Sequence, residues 1–512
     1  MRKLLSMGLL LAMLQPAIGQ TFTIDNIIKI SPRSLNAIKE GSDVKGYYFF
    51  YTSDKIDKRT NEYTLKIFDN NLKPLKDIKF QDSKDVVVLE SEFNGADLMF
   101  LFYNTRERTF DYQVYGADGT KKPFSYSREL SKKEDNFLRE TYNLDDEDNN
   151  FKGLYPVDEK GFLSLMPSRE DRDWTFQLDF FSAEKRKQWT YNPTDGARKI
   201  VADYLGSNNG VVYLELLKFR TLLDGSPDSY IVGLDLATGK QLFEKATDSK
   251  YRFYPAGLSV MNNGKAYLNG EFFNLNANII KDDSKGFAFW TIDEKGNITS
   301  EKYCSWDLDM SKYMNVSSKG KINNFGFMYV HNIVQAADGN IYAIGEGFKR
   351  VADGVGIALK VLSAGRSSSS VTKLDITDML LIKFDQNFNV KEAKFFDKNR
   401  NTFSYSGADF MSTPLLAKYI RAHGGFDYAY TEVNKEATAF TVCYSDYERG
   451  KEYRGGTFNS ISYNDGKIST DKIKTKTDAT YSWVQPGKQG QVLIVDYFKK
   501  AKRVDAHFEK LN

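Results

Sequence analysis

Only three His and two Cys are present among 512 residues, so most nucleophile and metal constellations have no raw material. His331 stands in an apolar run, His423 precedes Gly424-Gly425, and His507 lies near the C-terminus. That spacing matches neither a zinc set nor a hydrolase triad, and no G-x-S-x-G elbow occurs. Gly233 to Gly239-Lys240 has five intervening residues where a phosphate loop has four, and Gln241 follows the lysine in place of Ser or Thr. Gly354-Val355-Gly356 opens like a dinucleotide fingerprint, but Leu359 occupies the position of its third glycine. Asp145-Asp146-Glu147-Asp148 offers hard oxygen ligands. A calcium-binding loop would require Gly where Phe151 stands and Glu where Val157 stands, so the run reads as a solvated loop. Glu170, Asp171 and Asp173 beside Trp174 are the residue types of a glycosidase carboxylate pair, and their clustering reads as a turn. No catalytic residue, cofactor or metal is implied. Cys304 and Cys443 read as two buried free thiols.

The elements that would position any site are strands. Eight segments repeat one plan, a run of β-formers, an Asp-, Asn- or Gly-containing turn, then a more polar β run. They are 63–80, 111–126, 175–191, 229–245, 286–303, 378–397, 455–473 and 490–509. Between them lie nearly continuous apolar runs such as Tyr47–Tyr51, Leu98–Tyr103 and Val211–Leu217, as expected of strands covered on both faces. Two hairpins per unit give a four-stranded antiparallel sheet, and stacked sheets of this kind describe a β-propeller. Insertions are expected at 129–150, 306–327, 351–377 and 397–424. The remainder allots about 49 residues to each of eight blades, or about 56 to each of seven, near the usual repeat length. The ring is expected to close by pairing Thr21–Ile30 with the last hairpin, inside Gln491–Phe508, making 20–512 a single domain. Residues 129–142 and 410–422 are expected as short surface helices.

Met1-Arg2-Lys3, the apolar Leu4–Leu14 and then Ala17 and Gly19 form a signal-peptide pattern, with cleavage expected between Gly19 and Gln20. Eleven apolar residues are too few to span a bilayer, and no later segment is a transmembrane candidate. The expected location is therefore periplasmic, cell-surface or secreted. The balance of 71 basic against 68 acidic residues calls for no nucleic acid or anionic lipid.

Ile231–Phe243 resembles one quinoprotein propeller repeat, through Asp235 and Thr238-Gly239-Lys240, although Phe243 stands where that repeat has Trp. More of the chain resembles a family of exported Bacteroidota-type propeller-like proteins of unknown function. That likeness rests on Glu346-Gly347-Phe348-Lys349, the small residues Gly354–Ala358, the run Ser367–Ser370, and Asp378-Met379 leading to Phe384-Asp385. It implies a fold and a compartment but no activity. The function expected is a non-catalytic binding or scaffold propeller engaging a protein or glycan. A carbohydrate-active hydrolase or lyase with carboxylates in the central channel is the alternative, and a quinone-dependent dehydrogenase stands third. Lys349, Arg350, Lys360 and Arg366, on and around the 351–377 insertion, are the expected binding residues for an anionic partner.

Overall fold

The structure is a computed structural model that describes residues 21–40, 43–144, 151–157, 160–182, 187–193, 196–221, 226–352, 372–403, 412–475, 478–488 and 490–511. The chain is 63% strand and 6% helix, a β-propeller of four-stranded antiparallel blades. We number the blades in chain order. Blade 1 runs Leu35–Glu40, Asp43–Lys55, Thr60–Asp69 and Pro74–Ser83. Blade 2 spans 86–129, blade 3 spans 154–191, blade 4 spans 199–246 and blade 5 spans 252–305. Blade 6 spans 327–396, with Asn401–Phe403 as a short fifth strand on its third, and blade 7 spans 428–474. Blade 8 takes Tyr481–Pro486, Gln491–Phe498 and Arg503–Lys510, with Thr21–Asp25 as its fourth strand. Blades 3 and 4 touch through one parallel pair, Trp174 with Lys199, which links them into an eight-stranded sheet.

Burial grades from strand to strand because each blade is covered on both faces near the middle and opens to water at its rim. In blade 1, Tyr47 to Thr52 are all buried, whereas Pro74–Ser83 has no buried residue. The turns follow their side-chain chemistry. Asp69 accepts the Asn71 and Lys73 N–H groups at 2.8 and 2.9 Å, and the turn closes on a buried Leu72 at φ 62°.

Consecutive blades share apolar cores. Leu163 and Leu178 pack with Val212 and Leu214 between blades 3 and 4. Cys443 and Phe458 of blade 7 meet Val492 and Ile494 of blade 8, whose Leu493 and Val495 meet Tyr47 and Phe49 of blade 1. The cysteines are buried and free, in two different inter-blade cores. The N-terminal strand pairs Phe22 with Ala506 and Ile24 with Val504, and the Phe22 ring stacks on Phe68 at 4.3 Å. It is shorter than expected. It ends at Asp25, Asn26 turns the chain at φ 63°, and Lys29 bridges to Thr52 of blade 1.

Two helices follow fourth strands, where one blade hands the chain to the next. Helix α1, Lys132–Tyr142, starts with a capping box of Ser131 and Glu134 and buries Leu138. Helix α2, Thr413–Ala422, starts with Pro414 in its first turn and buries Leu416, Ala417 and Ile420 against Phe348, Leu374 and Ile376 of blade 6. It is not the surface helix the sequence pattern suggests. Its N-terminal Ser412 bonds the Ile279 and Ile280 carbonyls in the loop between the second and third strands of blade 5, so it reaches over the neighbouring blade. The second and third strands of blade 6 extend into the expected 351–377 insertion, whose residues 353–371 lie outside the described ones. Those strands, Ile341–Ala352 and Thr372–Phe384, continue their pairing to Ala352 and Thr372.

Candidate functional site

First strands of consecutive blades lie against one another, blade 2 on 3, 4 on 5, 6 on 7 and 8 on 1, which places them innermost. First strands of blades 7, 8, 1 and 2 line an axial cavity of about 420 Å³. Asn36, Lys39, Glu92, Phe93, Tyr430 and Gln485 give it a mixed polar and aromatic wall. Lys39 pairs with Glu432 at 3.2 Å and lies 5.7 Å from the centre of the Tyr430 ring. Burial raises the Glu432 carboxyl, and Lys39 opposes that rise.

Between blades 2 and 3, Lys152 reaches two carboxylates, Glu90 at 2.8 Å and Glu92. The other Glu90 oxygen accepts the Gly153 and Leu154 N–H groups at 2.7 and 2.9 Å, fixing where blade 3 begins. Burial works against the Lys152 charge, but the two glutamates hold its ammonium above the ordinary lysine range. Lys152 also lies over Tyr155, whose ring packs on Tyr204 at 4.4 Å.

Across the axis, α2 delivers Lys418 to Asp203 and, at 3.3 Å, Glu215. Asp203 is on the first strand of blade 4, and Glu215 is its cross-strand partner on the second. Lys418 stands 4.4 Å from the Tyr254 ring centre, and Arg421 donates to the Tyr329 hydroxyl at 2.9 Å. Asp203 sits deep among protein atoms yet keeps 48% of its side-chain surface, as a group facing an internal lumen would, whereas Glu215 keeps 1%. Burial pushes Glu215 up to about 8, while Lys418 outweighs burial at Asp203 and holds it down. The two carboxyls are thus shifted in opposite directions around one ammonium. Such a split is what acid–base chemistry needs, although Lys418 occupies the space both carboxylates face.

A fourth charged group is structural. Glu346 accepts the Asp427 and Tyr428 N–H groups at 3.1 Å each, pairs with Lys398 at 3.2 Å and bonds His331 at 3.2 Å. Glu346 and Lys398 have no exposed side-chain surface, so this group pins blade 7 to blade 6. Burial lowers His331, keeping it a neutral partner stacked on Tyr428 at 4.3 Å.

Lys349 and Arg350 lie on the second strand of blade 6, and the Lys349 ammonium donates to the Asn324 carbonyl at 2.9 Å. Lys360, Arg366 and the run Asp145–Asp148 lie outside the described residues. Glu170 accepts from Asn192 at 2.8 Å and Asp173 pairs with Arg198 at 3.0 Å, so these carboxylates serve a hairpin rather than one reacting centre. Asp235 accepts the Thr238 N–H and hydroxyl at 2.8 and 2.6 Å, which is turn chemistry. Among the described residues no cluster of three His, Cys, Asp or Glu could hold a metal, and no helix is long and apolar enough to cross a membrane. The axial residues Lys152, Asp203, Glu215 and Lys418 escaped sequence reading. Their one local signal is an acidic residue interrupting an apolar strand, as Glu215 does in Val211–Phe219.

Over residues 1–512 the sequence matches a family described as a family of unknown function (DUF6770), and the chain belongs to that family. No curated protein matches it. Among solved structures, apo prolyl oligopeptidase B from Galerina marginata is similar at 11% identity and a TM-score of 0.42, covering 92% of this chain and 56% of that one. The chain thus spans about half the length of the oligopeptidases it matches. The WD40 domain of SCAP from fission yeast is similar at 8% identity and a TM-score of 0.36, covering 96% of both chains. A subtype N10 neuraminidase-like protein of A/little yellow-shouldered bat is similar at 9% identity and a TM-score of 0.31, covering 77% of this chain and 96% of that one.

Proposed function

We propose that this member of the DUF6770 family is an exported, non-catalytic binding propeller that takes a glycan or a protein segment into its axial cavity. One observation carries the reading. The carboxyls around the axis are each engaged by a lysine, Glu432 by Lys39, Glu90 and Glu92 by a shared Lys152, and Asp203 and Glu215 by a shared Lys418. The remaining wall is uncharged polar and aromatic, the lining of a recognition site. Export to the periplasm or cell surface rests on the N-terminal pattern alone. Intact-mass measurement of the exported protein should find Gln20 first. For binding, the purified protein is screened on a glycan array and in pull-downs beside Tyr430→Ala. A partner retained by the wild type and lost by the variant supports the reading, and equal retention sinks it.

A carbohydrate-active hydrolase or lyase is the second reading, favoured by the cross-strand pairing of Asp203 and Glu215, whose carboxyls are shifted in opposite directions. Release of reducing ends or unsaturated products from a bound glycan, abolished in Asp203→Asn, would establish it. Binding without turnover would leave the first.

A further inference from the structure

Away from the axis, at the boundary of blades 8 and 1, lies an open groove of about 1240 Å³. We propose that it is a second binding site, for an oligosaccharide bearing carboxylate or sulfate groups, and that it works independently of the axial cavity.

Charge is the first support. The chain as a whole is near balance, yet among the described residues Lys55, Lys58, Lys84 and Lys499 line this groove against one acidic residue, Asp57. Asp57 is engaged in its own turn, accepting the Arg59 and Thr60 N–H groups at 2.6 and 2.8 Å. Lys55, Lys58, Lys84 and Lys499 are exposed, and none makes an ion pair with a described residue. Like charges brought together without partners repel, and an anion relieves that repulsion.

The second support is aromatic. On blade 8, Tyr481 and Trp483 stack at 5.9 Å and 9° between planes, and Trp483 and Tyr497 at 6.1 Å and 15°. Tyr497 is 3% exposed and part of the core between blades 8 and 1, whereas Tyr481, at the open end, is 47% exposed. The ladder is therefore a rigid platform with one free face. A sugar ring presents the C–H face that such a platform accepts, while its charged substituents reach the surrounding lysines.

The same geometry disfavours a single-stranded nucleic acid, whose successive bases need separate free ring faces. Here Tyr497 is buried, Trp483 is half-buried, and Tyr481 alone of the three is exposed. The volume exceeds the roughly 300–1,000 Å³ of a small-molecule pocket, so an oligomer fits better than a monosaccharide.

The test is titration calorimetry of the full chain with hexagalacturonate as probe, beside neutral cellohexaose, a dT oligomer and oligoglutamate. Hexagalacturonate should bind, at least tenfold more tightly than cellohexaose, and should weaken as salt rises from 50 to 300 mM. Tyr481→Ala and the triple variant Lys55→Ala/Lys58→Ala/Lys499→Ala should each lose at least fivefold, with unchanged melting temperatures. Tyr481→Phe should bind like the wild type, and so should the cavity variant Tyr430→Ala. No binding, or equal affinity for cellohexaose, overturns the proposal. Tighter binding of dT or oligoglutamate that these variants abolish assigns the groove to another class and also overturns it. Loss in Tyr430→Ala alone would place the ligand in the axial cavity, supporting the axial reading and refuting this one.

Discussion

Replacing Glu271 by Gln should change how stability depends on pH. Glu271 is on the second strand of blade 5 and lines a cavity of about 50 Å³ under α2, among Phe287, Phe289 and Ala417. No described lysine or arginine pairs with it. Burial pushes its carboxyl up to about 7 from the ordinary 4.5, with partial relief from a hydrogen bond to Ser284. Below 4.5 both folded and unfolded chains carry the proton, and the group costs nothing. Between 4.5 and about 7 the unfolded chain has released the proton while the folded chain retains it, so stability falls as pH rises. Above about 7 the loss levels off near 3 kcal/mol. Gln keeps the shape and an acceptor for Ser284 but cannot ionise. The stability of Glu271→Gln relative to wild type should therefore grow by about 3 kcal/mol between pH 4.5 and 8. With roughly 1 kcal/mol/K of unfolding entropy for a chain of this size, that is about 3 °C in Tm. Other carboxyls raised by burial contribute to both proteins and cancel in the difference. Thermal scans of the pair at matched rates across this range provide the assay. Parallel Tm profiles would refute the reasoning, because Glu271 would then be ionised in the folded protein despite its surroundings.

Lys418→Met leaves Asp203 and Glu215 without their cation. It should cost about 2–3 kcal/mol at pH 8 and less at pH 5, where both carboxyls can take protons, less than the 3–5 of a fully enclosed pair because Asp203 faces the lumen; denaturant melts at the two pH values measure this. Ile24→Ala removes a buried side chain from the outermost strand of blade 8 and should cost about 2–4 kcal/mol, with unchanged stability showing that the N-terminal strand does not hold the ring. Burial pushes both cysteine thiols up to about 12, and Cys304 donates to the Phe388 carbonyl at 3.0 Å. A thiol reagent at pH 8 should therefore label neither in the folded protein and both after denaturation.

All eight hairpins stand where the sequence places them because a hairpin is specified locally, by a turn residue and the alternation on either side. Asp69 and Asp235 show this, each capping its turn with side-chain bonds two to four residues ahead. The last hairpin becomes the second and third strands of its blade rather than the third and fourth, since the fourth comes from Thr21–Asp25. Helix α2 forms where its local pattern predicts, but its burial is not legible there, for the opposite reason. Its apolar stripe is local, but the carboxylates that draw Lys418 toward the axis are about 200 residues away.

A single acidic residue within an apolar strand is nonetheless a readable signal that a distant partner exists. Glu90, Asp179, Glu215, Glu346 and Asp496 each interrupt such a run, and each is buried. A buried carboxylate is too costly to leave unanswered, so each position demands a cation, a donor or a retained proton. The structure supplies them from elsewhere in the chain. Lys152 answers Glu90, Lys187 and Thr190 answer Asp179, Lys418 answers Glu215, His331 and Lys398 answer Glu346, and Ser482 answers Asp496. The demand is local and visible in the sequence, but the answer is tertiary. Glu271 interrupts its strand in the same way and, among the described residues, has Ser284 and no paired cation, so burial raises its carboxyl.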